Sequence, residues 1–355
     1  MTAPLRRRLA RRLLPACTLL AACACAPAAE DGWHLRVLGG LGGVDQYAHE
    51  VRFWTQELPR LSQGRFRASI TPFDRAGVPG QKMLDLVSMG VVPLGTVLLS
   101  QVAGEWPELA LPDMAGLSGD MASLRRAVQA FRPAMEAMLH ERFRSRLLAV
   151  YVYPAQVVFC KQPMKRLADL QGRRVRVSGY SQGDFVRALG AQPVFTEFAA
   201  IMSTMEAGGI ECAITGAMSG NALGLHRITG TLFTQPLNWG LALFIVNEDA
   251  WTAFPPALQE LLQSQVPQLE ARVWAEAERD TQAGVVCNTG GSACEPARRG
   301  RMVAAVPDEA DERLRQSILA TAVLPGWMRR CGSACVDLWN QALAPLTGLR
   351  AGGRP

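Results

Sequence analysis

Leu167–Asn221 reads LADLQGRRVRVSGYSQGDFVRALGAQPVFTEFAAIMSTMEAGGIECAITGAMSGN. A turn, a strand, a helix, a second strand, a second helix and a third strand follow one another with little spare sequence. Short apolar strands alternating with helices define an α/β chain whose strands run parallel. One basic residue, Arg176, sits between Val175 and Val177 near the end of the first of these strands. In open α/β sheets the crevice outside the carboxyl ends of the strands is where ligands bind. A guanidinium there is a planar fork matching a carboxylate with two parallel hydrogen bonds. The third strand ends in Thr215, Ser219 and Asn221, hydroxyl and amide groups beside Gly216 and Gly220. Polar groups converging in an apolar layer suit a small polar ligand.

Upstream lies a β-α series of its own. A strand over Trp33–Leu38 meets a glycine loop, Gly39–Gly43, which serves either close backbone approach to a ligand or a flexible turn. A helix over Gln46–Ser62 places Tyr47, Val51, Trp54 and Leu58 on one face, with Gln46 and Tyr47 just past the loop as candidate contacts. Arg65–Pro72 and Val91–Leu99 read as strands, Lys82–Met89 as a helix closed by Gly90, Trp106–Leu117 as a loop, Met121–Phe143 as a helix and Leu147–Tyr153 as a strand ended by Pro154. The second series has strands at Gln156–Cys160, Arg173–Val177, Gln192–Phe195 and Gly209–Ile214. Beyond it come a strand at Gly240–Asn247, a long helix over Pro256–Ala283 kinked at Pro267, a solvated turn at Arg298–Arg301, a helix over Pro307–Leu324 capped by Asp308, and a final short helix. Gln156, opening the second series, and Trp239, before Gly240, complete the candidate ligand contacts.

The formal charge of +6 is carried by the leader: Arg6, Arg7, Arg8, Arg11 and Arg12 precede residue 30, leaving 32 basic against 31 acidic residues in the rest. That balance does not suggest a basic nucleic-acid face. The arginines and the short apolar run Leu13–Ala22 read as a signal peptide over residues 1–29. Leu20–Cys23 also fits cleavage before a lipidated Cys23, so a soluble and a lipid-anchored periplasmic form both stand. Six cysteines remain: Cys160, Cys212, Cys287, Cys294, Cys331 and Cys335. An even number in an oxidising compartment favours disulfides. Cys287 with Cys294 and Cys331 with Cys335 would close small local loops; zinc is the rival reading, at spacings wider than ordinary knuckles. Cys160 and Cys212 either pair or remain buried thiols.

Gly179–Gly183 matches G-x-S-x-G between a strand and a helix, so an exported serine hydrolase using Ser181 is a competing function. The only downstream histidine is His226, 45 residues on, too soon for a hydrolase fold; the alternative is a serine in a strand-to-helix turn. The four histidines show no metal-ligand spacing, and no P-loop or dinucleotide G-x-G-x-x-G follows a strand, so no cofactor and no metal are expected.

The ordered run L-x-D-L-x-G-x-x-V-R-V-x-G (Leu167, Asp169, Leu170, Gly172, Val175, Arg176, Val177, Gly179), then A-L-G-A-x-P-V (Ala188–Val194), then G-I-E (Gly209–Glu211) resembles the solute-binding proteins of tripartite ATP-independent periplasmic (TRAP) transporters. The resemblance extends across Gly64–Gly90 and the Asn247 region. It implies a two-lobed periplasmic binding protein fold, each lobe a mostly parallel sheet flanked by helices, with crossing hinge strands and a long connecting helix. Lobe I would be residues 30–153 with 239–283, and lobe II residues 154–238 with 284–355. It implies a receptor, not an enzyme, that captures an organic acid through an arginine at the Arg176 position and delivers it to two membrane permease subunits. A sensory protein of the same fold is the remaining alternative. The segment Cys212–Gly216, C-A-I-T-G, departs from the D-G-x-E-N-P common in the family, so the anion grip carries over and the rest of the pocket does not.

Overall fold

The computed structural model describes residues 32–352; the leader readings, residues 1–29 and Cys23, lie outside the described residues. In chain order the strands are β1 (Trp33–Gly39), β2 (Phe66–Pro72), β3 (Leu94–Leu98), β4 (Ser145–Val152), β5 (Gln156–Cys160), β6 (Arg174–Val177), β7 (Gln192–Phe195), β8 (Cys212–Gly216), β9 (Thr231–Asn238), β10 (Leu241–Asn247) and β11 (Val303–Ala305). They form two sheets, ordered β2-β1-β3-β10-β4 and β11-β9-β5-β8-β6-β7. Alternation writes β1: Leu35 and Val37 are buried while His34 and Arg36 are not. Strands β3, β5, β8 and β10 are buried on both faces, as expected of strands covered by helices on either side.

The chain crosses between the sheets at Tyr153–Ala155 and returns at Trp239–Gly240. Each crossing strand inverts direction relative to its neighbours. All four antiparallel pairings therefore involve β5 or β10, and the other five pairings are parallel. A third connection is the 33-residue helix Pro256–Asn288, which packs on β4 in one lobe and on the helix Ala217–Leu223 in the other. Pro267 lies within it without ending it. The crossing with Ala217–Leu223 is so close that a Cβ on Gly284 would lie 2.4 Å from the Met218 nitrogen, which only glycine permits. Asn288 continues the helix past Ala283 by donating its Nδ2 to the carbonyls of Ala217 (2.9 Å) and Gly284 (2.8 Å).

Local signals account for several helix starts. The helix Met121–Phe143 begins at Asp120, whose side chain accepts from the Ser123 amide in a capping box. Asp308 caps Glu309–Ile318 by accepting from the Ala310 and Asp311 amides at 2.7 and 2.9 Å. The C-terminal helices contact both lobes: Trp327 donates to the Pro107 carbonyl, and Arg330 pairs with Asp184 at 2.6 Å. Disulfides join Cys160 to Cys212, Cys287 to Cys294 and Cys331 to Cys335. The first links directly opposed residues of β5 and β8. No described helix is long and apolar enough to cross a membrane.

Candidate functional site

The carboxyl ends of β1 and β3 in one lobe face those of β6 and β8 in the other, and between them lies a cavity of about 460 Å³. Arg176 lines it from β6. Parallel pairing of β6 with β7 and β8 sets a backbone carbonyl on either side of the guanidinium. Its Nε donates to the Thr196 carbonyl at 2.9 Å and its Nη1 to the Ile214 carbonyl at 2.7 Å. Nη2 has no acceptor, and no carboxylate pairs with Arg176, among the described residues. The side chain is only 4% exposed. Burial pulls its pKa down to about 10, with Glu197 pushing back up; it remains a cation at neutral pH. A buried, orientation-fixed cation lacking a counter-ion is costly unless an anion arrives.

Thr215, Ser219 and Gln156 also line the cavity. Neither hydroxyl has a partner among the described residues. Gln156 donates its Nε2 to the Pro154 and Trp239 carbonyls, both at 3.1 Å, so Oε1 is what it can offer. The other four sequence candidates do not line this cavity. Asn221 follows Ser219 by two positions on one helix, and residues two apart face different sides. Its Nδ2 is held instead by Asn288, His226 and the Arg298 carbonyl. Trp239 is buried with its indole on the Ser118 carbonyl at 3.2 Å. Tyr47 donates to the Ile70 carbonyl at 3.3 Å, and Gln46 turns inward to Glu50, also at 3.3 Å. Their lobe is represented by Leu41 and Val44, just before that helix.

Beside the cavity, Glu50 is fully buried, and burial raises its pKa to about 7 against the pull of hydrogen bonds from Gly40, Thr96 and Gln46. The glycine loop turns its amides onto protein acceptors: Gly40 donates to Glu50 (3.2 Å) and Gly42 to Asp74 (3.1 Å). A Cβ on Gly40 would lie 2.7 Å from the Tyr153 hydroxyl and 2.9 Å from Glu50, so any larger residue would displace those side chains. Of the two readings of the loop, close approach describes it, to the protein's own side chains.

Several lining residues escaped sequence reasoning. Glu197 of the second lobe accepts from Gln81 (2.9 Å) and Gln101 (2.7 Å) of the first, bridging the mouth. Tyr180, Phe195 and Phe198 follow the carboxyl ends of β6 and β7 and line the cavity. The strand-end rule that singles out Arg176 would have found them too. Arg298, expected in a solvated turn, reaches Asp45 across the lobes at 3.2 Å. Ser181 sits beside a separate small recess, and His226 is engaged with Asn221 at 3.3 Å, so no serine–histidine pair forms among the described residues. Glu108, Cys331 and Cys335 lie close together, but the two sulfurs are bonded to each other and Glu108 is paired with Arg142.

A cavity between two α/β lobes, lined by a buried arginine, is the architecture of a solute receptor. Residues 45–287 match the family model of the bacterial extracellular solute-binding proteins, family 7, and the chain belongs to that family. The fold is that of TRAP solute receptors. A Bordetella pertussis extracytoplasmic solute receptor, DctP7, that binds pyroglutamic acid superposes with a TM-score of 0.77 at 18% identity, over 88% of this chain and 99% of that one. A Rhodoferax ferrireducens TRAP periplasmic solute-binding protein with bound malonate superposes at 0.75 and 16% identity, over 88% and 98%. One from Desulfovibrio salexigens with bound orotic acid gives 0.75 at 14% identity, over 87% and 96%.

Proposed function

We propose that this protein is a non-catalytic extracytoplasmic receptor that captures a small organic carboxylate in the inter-lobe cavity and hands it to the membrane permease subunits of a TRAP transporter. The observation that carries this reading is Arg176, buried against the cavity with Nη2 uncommitted and no acidic partner among the described residues. A carboxylate would complete its fork, with Thr215, Ser219 and Gln156 as further polar contacts. The family and the acids bound by its structural neighbours support the same reading. The segments 30–153 with 239–283 and 154–238 with 284–355 would be the bodies that close, bending at the two crossings. Closure excludes water and strengthens the ion pair as the local dielectric falls. Export by the 1–29 leader, with or without lipidation at Cys23, would place the receptor beside its permease.

A thermal-shift screen of organic acids and their neutral amides on the mature protein tests this. An acid at a hundred times its Kd should stabilise by about 2.7 kcal/mol and raise Tm, while its amide does not. Amides that shift Tm as much as their acids would refute an anion grip.

A further inference from the structure

We infer, resting on the carboxylate-receptor reading above, that the ligand carries one anionic charge and an apolar, ring-sized body: a monocarboxylate and not a dicarboxylate. Among the described residues three charged side chains line the cavity, Arg176, Glu105 and Glu197, so the lining holds a single cation. The positive end of the helix Tyr180–Ala188 starts beside the cavity in the same lobe as Arg176 and reinforces that anion locus, whereas the helix of the other lobe that begins after Val44 carries Asp45 in its first turn, which offsets its own positive end.

The opposite lobe adds no cation to the lining among the described residues. Its Gly40, Leu41 and Gly42 amides, in the loop that approaches the cavity, are occupied by Glu50, the Tyr153 hydroxyl and Asp74. Its Gln81 and Gln101 amides are spent on Glu197. What it presents is mainly Leu41, Val44, Leu98 and Val102, with the neutral hydroxyls of Ser100 and Tyr153, and Glu105 as its only charge among the described residues. A second carboxylate would leave water to face these side chains and two acids, an uncompensated desolvation.

The apolar body has a counterpart. Tyr180 and Phe195 are among the few large apolar side chains left exposed, at 43% and 49%. Their rings touch at 5.4 Å between centroids and both line the cavity, with Phe198 alongside. Exposed aromatic pairs beside a grip for charge are the arrangement that takes an amphipathic ligand. The cavity, at about 460 Å³, lies within the range for small-molecule sites.

Titration calorimetry on matched acids decides this: hexanoate against adipate, and 3-phenylpropionate against succinate, with wild type, Phe195→Ala and Arg176→Gln. The monocarboxylate of each pair should bind at least about tenfold tighter. Phe195→Ala should weaken 3-phenylpropionate at least about fivefold with the ligand-free Tm unchanged, since that ring is half exposed. If adipate or succinate binds as tightly as its partner and Arg176→Gln abolishes both, the single-charge inference falls and the carboxylate receptor stands. If no acid binds wild type, both fall together.

Discussion

Arg176→Gln separates binding from folding, and the two effects can be sized. Truncating one member of a buried charge pair costs about 2–5 kcal/mol in binding, or roughly 30-fold to 4,000-fold in Kd. The effect on the ligand-free protein should be smaller. Burial lowers the Arg176 pKa to about 10, so holding the cation in place costs the folded state about 3 kcal/mol, little screened at 4% exposure. Against this stand two hydrogen bonds from the charged group to the Thr196 and Ile214 carbonyls, each worth about 1.5–3 kcal/mol. The difference lies between about 0 and 3 kcal/mol, so urea unfolding of the ligand-free variant should stay within about 3 kcal/mol of wild type. Calorimetric Kd for the best acid should rise by at least the lower figure above. A Kd within about threefold of wild type, with a folded variant, would refute the assignment of Arg176 as the anion grip.

Three further outcomes follow from the same structure. Burial raises the Glu50 pKa to about 7 in the folded state against an ordinary 4.5, so the native state holds the proton longer; its contribution to stability is fully present below 4.5, is lost by about 3 kcal/mol as pH rises to 7 and then levels. Glu50→Gln should flatten that part of the urea-stability profile, and an unchanged slope would contradict it. Cys160 and Cys212 close a loop of sequence separation 52, for which chain entropy gives about 4 kcal/mol; Cys160→Ala with Cys212→Ala should lose most of that in urea unfolding, and a loss under about 1 kcal/mol would argue against the bridge. Glu197→Ala removes both contacts to Gln81 and Gln101, and small-angle scattering should show a larger radius of gyration without ligand; an unchanged radius means the lobes are held by other contacts.

Much of the fold is legible in the sequence because its signals are local. The helix Met121–Phe143 and the strands Gln156–Cys160 and Gln192–Phe195 fall where periodicity and capping put them. Strand β9, Thr231–Asn238, is not legible: Gln235 and Pro236 break its apolar run, and the strand tolerates them only because its pairing with β5 is interrupted by a bulge between Gln156 and Val158. The short strand Val303–Ala305 owes its existence to the partner it meets in β9. At the site, Arg176 was legible since one charge among strand valines is anomalous. Asn221 lies off the cavity because its angle around the helix, which residue type does not encode, turns it the other way. Glu197, Gln81 and Gln101 lie in three segments that become neighbours only when the lobes meet, a relation no local pattern encodes.

A crystal structure of the mature protein with its best-binding acid tests the central claim most directly. The account predicts the ligand carboxylate in the cavity between β3 and β6, with an oxygen about 2.7–2.9 Å from Arg176 Nη2. A carboxylate bound elsewhere, with the Arg176 guanidinium still touching only backbone carbonyls, would contradict it.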